Sequence, residues 1–123
     1  MRPWSIAIAI AAPLAFYGNH AFAKESYYIE TGNELFARCT EGQREGVESA
    51  IPFGICYGFI NAMIEESRCG QDTAGFSSRV PEGANFGQVR KVVMKWLNEH
   101  PETLHMGASG LVSHALQDAF PCQ

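Results

Sequence analysis

Residues 85–97, NFGQVRKVVMKWL, carry the clearest helical periodicity in the sequence. Asn85 and Gln88 have the spacing of a capping box, in which each side chain bonds the main chain of the other, and this pattern predicts the start of a helix. Apolar residues then recur at helical intervals along one side, as in a helix that buries one face. The basic side chains fall on the opposite side, where a solvated surface is the simplest interpretation. The stretch therefore predicts an amphipathic helix.

Two more helices are predicted before this one. Thr31 and Glu34 form a second capping-box pattern, and the helix that they begin ends near Thr40. Pro52 fits the first turn of a longer helix that continues to Glu66. Because the longer helix is apolar nearly all round, we expect it at the centre of the domain.

Small residues recur at every fourth position of the longer helix, at Ala50, Gly54, Gly58 and Ala62. Such a stripe lets the backbone of another helix approach closely, so we expect tight packing along it within the domain. Membrane dimers use the same spacing, but we expect the apolar stretch to be too short for a membrane crossing.

The chain after residue 97 predicts a corner between helices. His100 precedes Pro101, and a residue in that position is disfavoured in helical geometry. Pro101 can itself open a new turn that contains Glu102 and His105. A metal ion shared by His100 and His105 is one interpretation, but at a proline corner a capping or packing role is favoured.

A last helix has apolar positions from Leu104 to Phe120 and ends at Pro121 and Cys122. Strand-like alternation after the N-terminal region is confined to residues 26–30. The fold class predicted from the sequence is therefore all-α, a small domain of four helices.

The composition fits a compact globular chain. It has 123 residues, of which 46% are apolar and 18% charged. Its formal net charge of −4 opposes binding to a phosphate backbone, so no nucleic-acid partner is expected.

The first 23 residues have the three-part layout of a secretory signal peptide. Arg2 is followed by an apolar run at 4–16 and by the small-residue cleavage pattern of 21–23. A membrane span is disfavoured because the run is short and contains a proline. We therefore expect cleavage before Lys24, a mature domain at 24–123, and no membrane attachment after cleavage.

Four cysteines, Cys39, Cys56, Cys69 and Cys122, lie in the part expected to be exported. An even number in a small exported chain predicts two disulfides. A zinc site would need closely spaced pairs such as C-x-x-C, which this chain lacks. We therefore expect structural disulfides and no metal.

The sequence shows no pattern typical of an enzyme. The histidines of the mature part, His100, His105 and His114, do not stand with a predicted nucleophile, and adjacent Glu65 and Glu66 diverge on a helix. There is no phosphate-binding glycine loop and no cofactor signature. We expect neither enzymatic activity nor a cofactor.

A polar connection of unusual length spans residues 68–83. Loops of this length often carry function, but a connection without function that Cys69 holds in place is an equally good interpretation. If the loop binds a partner, Asp72, Ser77, Ser78 and Arg79 are its candidate contacts.

Residues 56–62, CYGFINA, resemble the C-x-G-Y/F-I-x-G/A helix of Rap/Tai-type immunity proteins. The second half of the chain is similar to the family's C-terminal pattern in order and spacing. The resemblance covers about Leu35 to Cys122 and includes Pro81-Glu82-Gly83, Trp96-Leu97, His100-Pro101-Glu102 and Phe120-Pro121-Cys122.

The resemblance implies an all-helical periplasmic protein, often a homodimer, without chemistry of its own. Such a protein would bind a peptidoglycan amidase delivered by type VI secretion and block its catalytic cleft. Family members commonly have a cysteine where this chain has Arg79, and Cys69 would take over its pairing.

The alternative function is a small periplasmic chaperone or stress protein without a cognate toxin.

The order of the helices favours one disulfide pairing. An antiparallel first pair brings Cys39 near Cys56, and a hairpin of the third and fourth helices brings the loop with Cys69 near Cys122. We predict these two bonds, and the other two pairings remain open.

Overall fold

The computed structural model describes residue 29, residues 31–71 and residues 75–123. The predicted signal peptide and Asp72 lie outside this part. Within it, β-type pairing is confined to isolated bridges, and the predicted all-α fold is confirmed. The helices are α1 (Gly32–Glu41), α2 (Ala50–Glu66), α3 (Phe86–Glu99) and α4 (Ala108–Ala119), with short 3₁₀-helices at Val47–Ser49 and Pro101–Thr103.

Both predicted capping boxes are present. At the start of α1, the Thr31 hydroxyl accepts a hydrogen bond from the Glu34 N–H at 3.4 Å, and the Glu34 carboxylate accepts one from the Thr31 N–H at 2.9 Å. At the start of α3, Asn85 and Gln88 make the corresponding bonds at 3.0 and 2.9 Å. Each box satisfies donors that an open helix end would leave unpaired.

The segment before α4 also completes the start of α1. The Gly32 N–H donates to the Met106 carbonyl at 3.0 Å, and the Asn33 N–H donates to the Leu104 carbonyl at 2.8 Å. The prediction that Leu104 belongs to the last helix is therefore wrong, and α4 begins at Ala108. The carbonyls of this segment bond α1 instead of continuing a helical ladder.

The core is formed by one face of each helix, and α4 contributes more residues to it than any other helix. Leu35 of α1, Ile60 of α2 and Leu97 of α3 are fully buried with Val112 and Leu116 of α4. Six residues of α4 are buried, against four in the longer α2. The prediction that α2 lies at the centre is wrong, because α4 fills that position.

The outer face of α2 is exposed. Ile51 is 65% exposed and Tyr57 is 46% exposed. A Cβ added at Gly54 or Gly58 would meet no atom of the described residues within 4 Å, so the predicted tight packing along the small-residue stripe is also wrong for the described part of one copy. With the preceding turn, Val47–Glu66 has the length and mean hydropathy, 1.4, of a membrane crossing, contrary to expectation, although one side of it packs on the core.

Both predicted disulfides are present. Cys39–Cys56 joins α1 to α2 inside the core, where each cysteine is 1% exposed. Cys69–Cys122 joins the connection after α2 to the segment after α4, with 5.9 Å between the two Cα atoms. The chain is therefore crosslinked once in its core and once at its surface.

Replacement of a core leucine tests whether the packing of α4 contributes to the free energy of unfolding. Leu116→Ala should lower the free energy of unfolding by about 2–5 kcal/mol, since Leu116 is fully buried and the change leaves a cavity. Val47→Ala, at a position 89% exposed, is the control and should change it by less than about 0.5 kcal/mol. Urea unfolding with the disulfides intact gives both values. Equal effects of the two changes would contradict this description of the core.

Candidate functional site: the anchored loop

Main-chain hydrogen bonds hold both ends of the connection at residues 68–83, which we call the anchored loop. The Cys69 N–H donates to the Ser78 carbonyl at 3.2 Å, and the Ser78 N–H donates to the Ser67 carbonyl at 2.6 Å. The Arg79 N–H donates to the Phe120 carbonyl at 2.7 Å. Ser78 thus lies between the end of α2 and the segment after α4, and the Cys69–Cys122 bond crosslinks the same place.

A buried pair of serines fixes the loop to α2. The hydroxyls of Ser67 and Ser78 are 3.0 Å apart, and the Ser67 hydroxyl donates to the Met63 carbonyl at 2.7 Å. Both serines are at most 2% exposed. Ser78, a candidate contact, is therefore placed where it anchors the loop and has almost no surface for a partner.

Arg79 is the candidate contact that the structure places on the surface. Its side chain is exposed, and it forms no ion pair with the other residues that the structure describes. Ser77 beside it is half-buried. Arg68, at the start of the loop, differs because it pairs with Glu65 at 2.8 Å. Arg79 is thus an exposed cation whose main chain is held by Phe120 and whose side chain is available to an acidic partner.

Two open cavities flank Arg79 and form a groove. One has a volume of about 420 Å³ and the other about 390 Å³, and Arg79 and Pro81 line both. The first extends towards α2 and the second towards the segment after α4. The remaining lining residues are Ile64, Arg68, Cys69, Ser78, Val80 and Glu82 in the first cavity, and Ala119, Phe120, Pro121 and Gln123 in the second.

The predicted corner lies at the end of α3. The His100 Nδ1 atom is 2.7 Å from the Trp96 carbonyl oxygen, and its ring stacks on the Trp96 indole with 4.0 Å between centroids. His100 therefore has the favoured capping and packing role. Pro101, Glu102 and His105 are exposed. Among the described residues, no group of three or more potential ligands is arranged to hold a metal ion.

A family model describes nearly the whole of this architecture. The model of the Rap1a immunity proteins matches residues 31–122, which include all four helices, the groove and both disulfides. The chain belongs to the Rap1a immunity protein family. No curated protein and no solved structure matches it.

This Rap1a-family protein also has a ring stack that the sequence analysis did not identify. Phe76 of the anchored loop stacks on His114 of α4, with 4.8 Å between centroids and 12° between planes. His114 also contacts Trp96, whose other neighbour is His100. The sequence offers one signal, because Phe76 is the only aromatic residue in an otherwise polar loop.

The two disulfides of this Rap1a-family protein should differ in their rate of reduction. Thiol–disulfide exchange requires access for the attacking thiolate. Cys122 is exposed and Cys69 half-buried, whereas Cys39 and Cys56 lie in the core. With limiting reductant, we expect Cys69–Cys122 to open first, as measured by alkylation and peptide mass spectrometry. Protein unfolded in urea is the control, since its two bonds should react at similar rates. Earlier alkylation of Cys39 and Cys56 in the folded protein would be inconsistent with the described burial.

Proposed function

We propose that this chain is a periplasmic immunity protein that neutralises a peptidoglycan amidase delivered by type VI secretion. Membership of the Rap1a family indicates an immunity protein that binds a toxin effector. Two features support the finer assignment. The first 23 residues have the layout of a signal peptide, and two disulfides suit an oxidising compartment.

The anchored loop is the observation that supports inhibition by covering the amidase cleft. A protein that inhibits by covering a cleft needs a surface that keeps its shape when it binds, because ordering a mobile segment costs affinity. Hydrogen bonds, a disulfide and the buried serine pair fix the loop around Ser78. We infer that the groove beside Arg79 contacts the amidase.

Arg79 gives this groove its specificity. Its guanidinium offers several donors in one plane, which suits a carboxylate on the partner. In the free protein its main chain is held by Phe120 while its side chain has no ionic partner among the described residues. We therefore expect an acidic residue near the rim of the amidase cleft to pair with it.

Charge reversal at Arg79 tests the groove. Arg79→Glu should weaken amidase binding about tenfold or more, because an attraction becomes a repulsion inside a covered interface. Lys91→Glu is the matched control, since Lys91 is an exposed cation of α3 that lines neither cavity. Calorimetric titration of the amidase with each variant measures the affinities. Equal losses of amidase affinity in the two variants would contradict the assignment of the contact to the groove.

The function itself is tested with protein purified from the periplasm. Used as bait, it should retain a peptidoglycan amidase, and that amidase should lose activity on purified peptidoglycan at an equimolar amount of this protein. Cells that lack the protein should become sensitive to neighbours that secrete the toxin. If no hydrolase is retained and the deletion strain stays resistant, the immunity role is wrong.

We propose further that two copies associate through the outer face of α2, formed by Ala50, Ile51, Gly54, Tyr57, Gly58 and Ala62. No charged residue occurs between Glu48 and Glu65, and both glycines are open to another helix. A second copy matches this surface because the small residues are placed symmetrically about Cys56. In an antiparallel pair related by a two-fold axis, Gly54 meets Gly58 and Ala50 meets Ala62, which allows close backbone approach.

Lysine substitution on this face tests the dimer. Gly58→Lys should leave the fold intact, since Gly58 is exposed and a Cβ added there meets no atom of the described residues within 4 Å, and should convert a dimer to a monomer. Gly110→Lys is the control, because Gly110 is a helical glycine of α4 at which an added Cβ likewise meets no described atom within 4 Å. Sedimentation velocity measures the molecular mass in solution. A Gly58→Lys protein that remains dimeric, or a wild-type protein that is monomeric throughout, would overturn the assignment of this face.

The exposed apolar side chains of Val47, Ile51 and Tyr57 favour the second candidate function, a periplasmic chaperone. Surfaces of this kind bind unfolded clients. Acid-dependent binding of a hydrophobic dye, with protection of unrelated proteins from aggregation, would support this function. A dedicated inhibitor needs neither property.

A further inference from the structure

The returning half of the anchored loop, residues 75–79, becomes more buried towards Ser78. Phe76 and Ser77 are half-buried and Ser78 is buried, whereas Arg79 is exposed. Gly75, which precedes them, has a φ of 75°, a left-handed conformation that suits glycine. Two attachments hold this segment: the ring of Phe76, and the hydrogen bonds of Ser78 and Arg79.

The two attachments differ in kind. Ser78 is held by hydrogen bonds and lies beside the disulfide, whereas Phe76 is held by the face of one ring. The Phe76 and His114 rings lie nearly parallel, with 12° between their planes. His114 also contacts Trp96, with 5.0 Å between centroids. His114, a residue of α4, thus contacts both the loop and a buried ring of α3.

Asp118 contacts both the Trp96 indole and the His114 imidazole. One of its carboxylate oxygens accepts a hydrogen bond from the Trp96 Nε1–H at 2.8 Å, and the other lies 3.6 Å from the His114 Nε2 atom. Trp96 is only 8% exposed, so its indole cannot turn without disturbing the core. Trp96, which His114 contacts, is therefore held in place before any partner binds.

From this geometry we infer that Phe76 and His114 form a ring clamp that positions the anchored loop, and that His114 is a positioning residue for partner binding. The inference rests on the proposed function of the loop. The clamp would hold residues 75–77 in the orientation from which Arg79 is presented, so that less conformational entropy is lost on binding. The clamp acts through Arg79 and need not itself touch the partner.

Hydrogen–deuterium exchange of the free protein tests the clamp without a toxin. Phe76→Ala and His114→Ala should each accelerate exchange in a peptide that covers residues 75–79, while the helices keep their protection. His114→Phe should restore slow exchange, because it keeps a ring against Phe76 without the imidazole. Phe53→Ala, which removes another partly exposed ring that contacts neither Phe76 nor His114, is the control and should leave this peptide unchanged. Unchanged exchange in both alanine variants, or failure of His114→Phe to restore it, would overturn the clamp.

A double-mutant cycle tests the link to binding with the captured amidase as the ligand. Each alanine variant should bind about threefold to tenfold more weakly, the range expected for one aromatic pair. The double variant should lose little more than either single one, because the two rings act as a unit. His114→Phe should bind as the wild type does. Faster exchange with unchanged affinity would overturn the positioning role but leave the immunity function intact. If no amidase is captured, the proposed function is rejected, and the exchange experiment still tests the clamp.

Discussion

Burial of α4 among the other three helices is the constraint on which the rest of the structure depends. The helix is only twelve residues long and would be marginal alone, so tertiary packing must supply its stability. The position of α4 determines where the chain segments before and after it lie. The segment before it bonds the first N–H groups of α1, and Phe120 after it accepts a hydrogen bond from Arg79. The placement of the anchored loop therefore follows from the placement of α4.

A domain of this size has a small core, and its two disulfides add to stability in different places. A 60-residue domain buries only about 60% of its unfolded surface and a 150-residue domain about 70%, which makes crosslinks valuable between these sizes. Cys39–Cys56 joins α1 to α2 in the core, whereas Cys69–Cys122 joins the anchored loop to the segment after α4. The ring contact of Phe76 with His114 is a third attachment, and it lacks a covalent bond. Together these features attach the returning half of the anchored loop to the helical scaffold.

The sequence alone determined the local elements and the class of the fold. Both capping boxes, the ends of α2 and the corner at His100 depend on contacts within a few residues along the chain, so the pattern of residue types was sufficient to predict them. The disulfide pairing favoured by the order of the helices is also present, although the sequence had left the other two pairings open. The loop at residues 68–83 and its exposed arginine could also be selected in advance, since length and composition mark a loop without reference to the fold.

Only the tertiary structure decided which faces are covered. A helix that is apolar all round has the same sequence pattern whether one or both of its sides are buried, and here no segment in the described part of the chain covers Gly54 and Gly58. Leu104 fits the apolar pattern of α4, yet its carbonyl bonds α1, a competing contact between residues far apart in sequence. Ser78 is polar like its neighbours but is buried by Ser67, and Phe76 meets His114 because α4 lies beside the loop. The periodicity of apolar residues predicts the local secondary structure of a segment. Its exposure and its ring contacts depend on residues far away in sequence that only packing brings close.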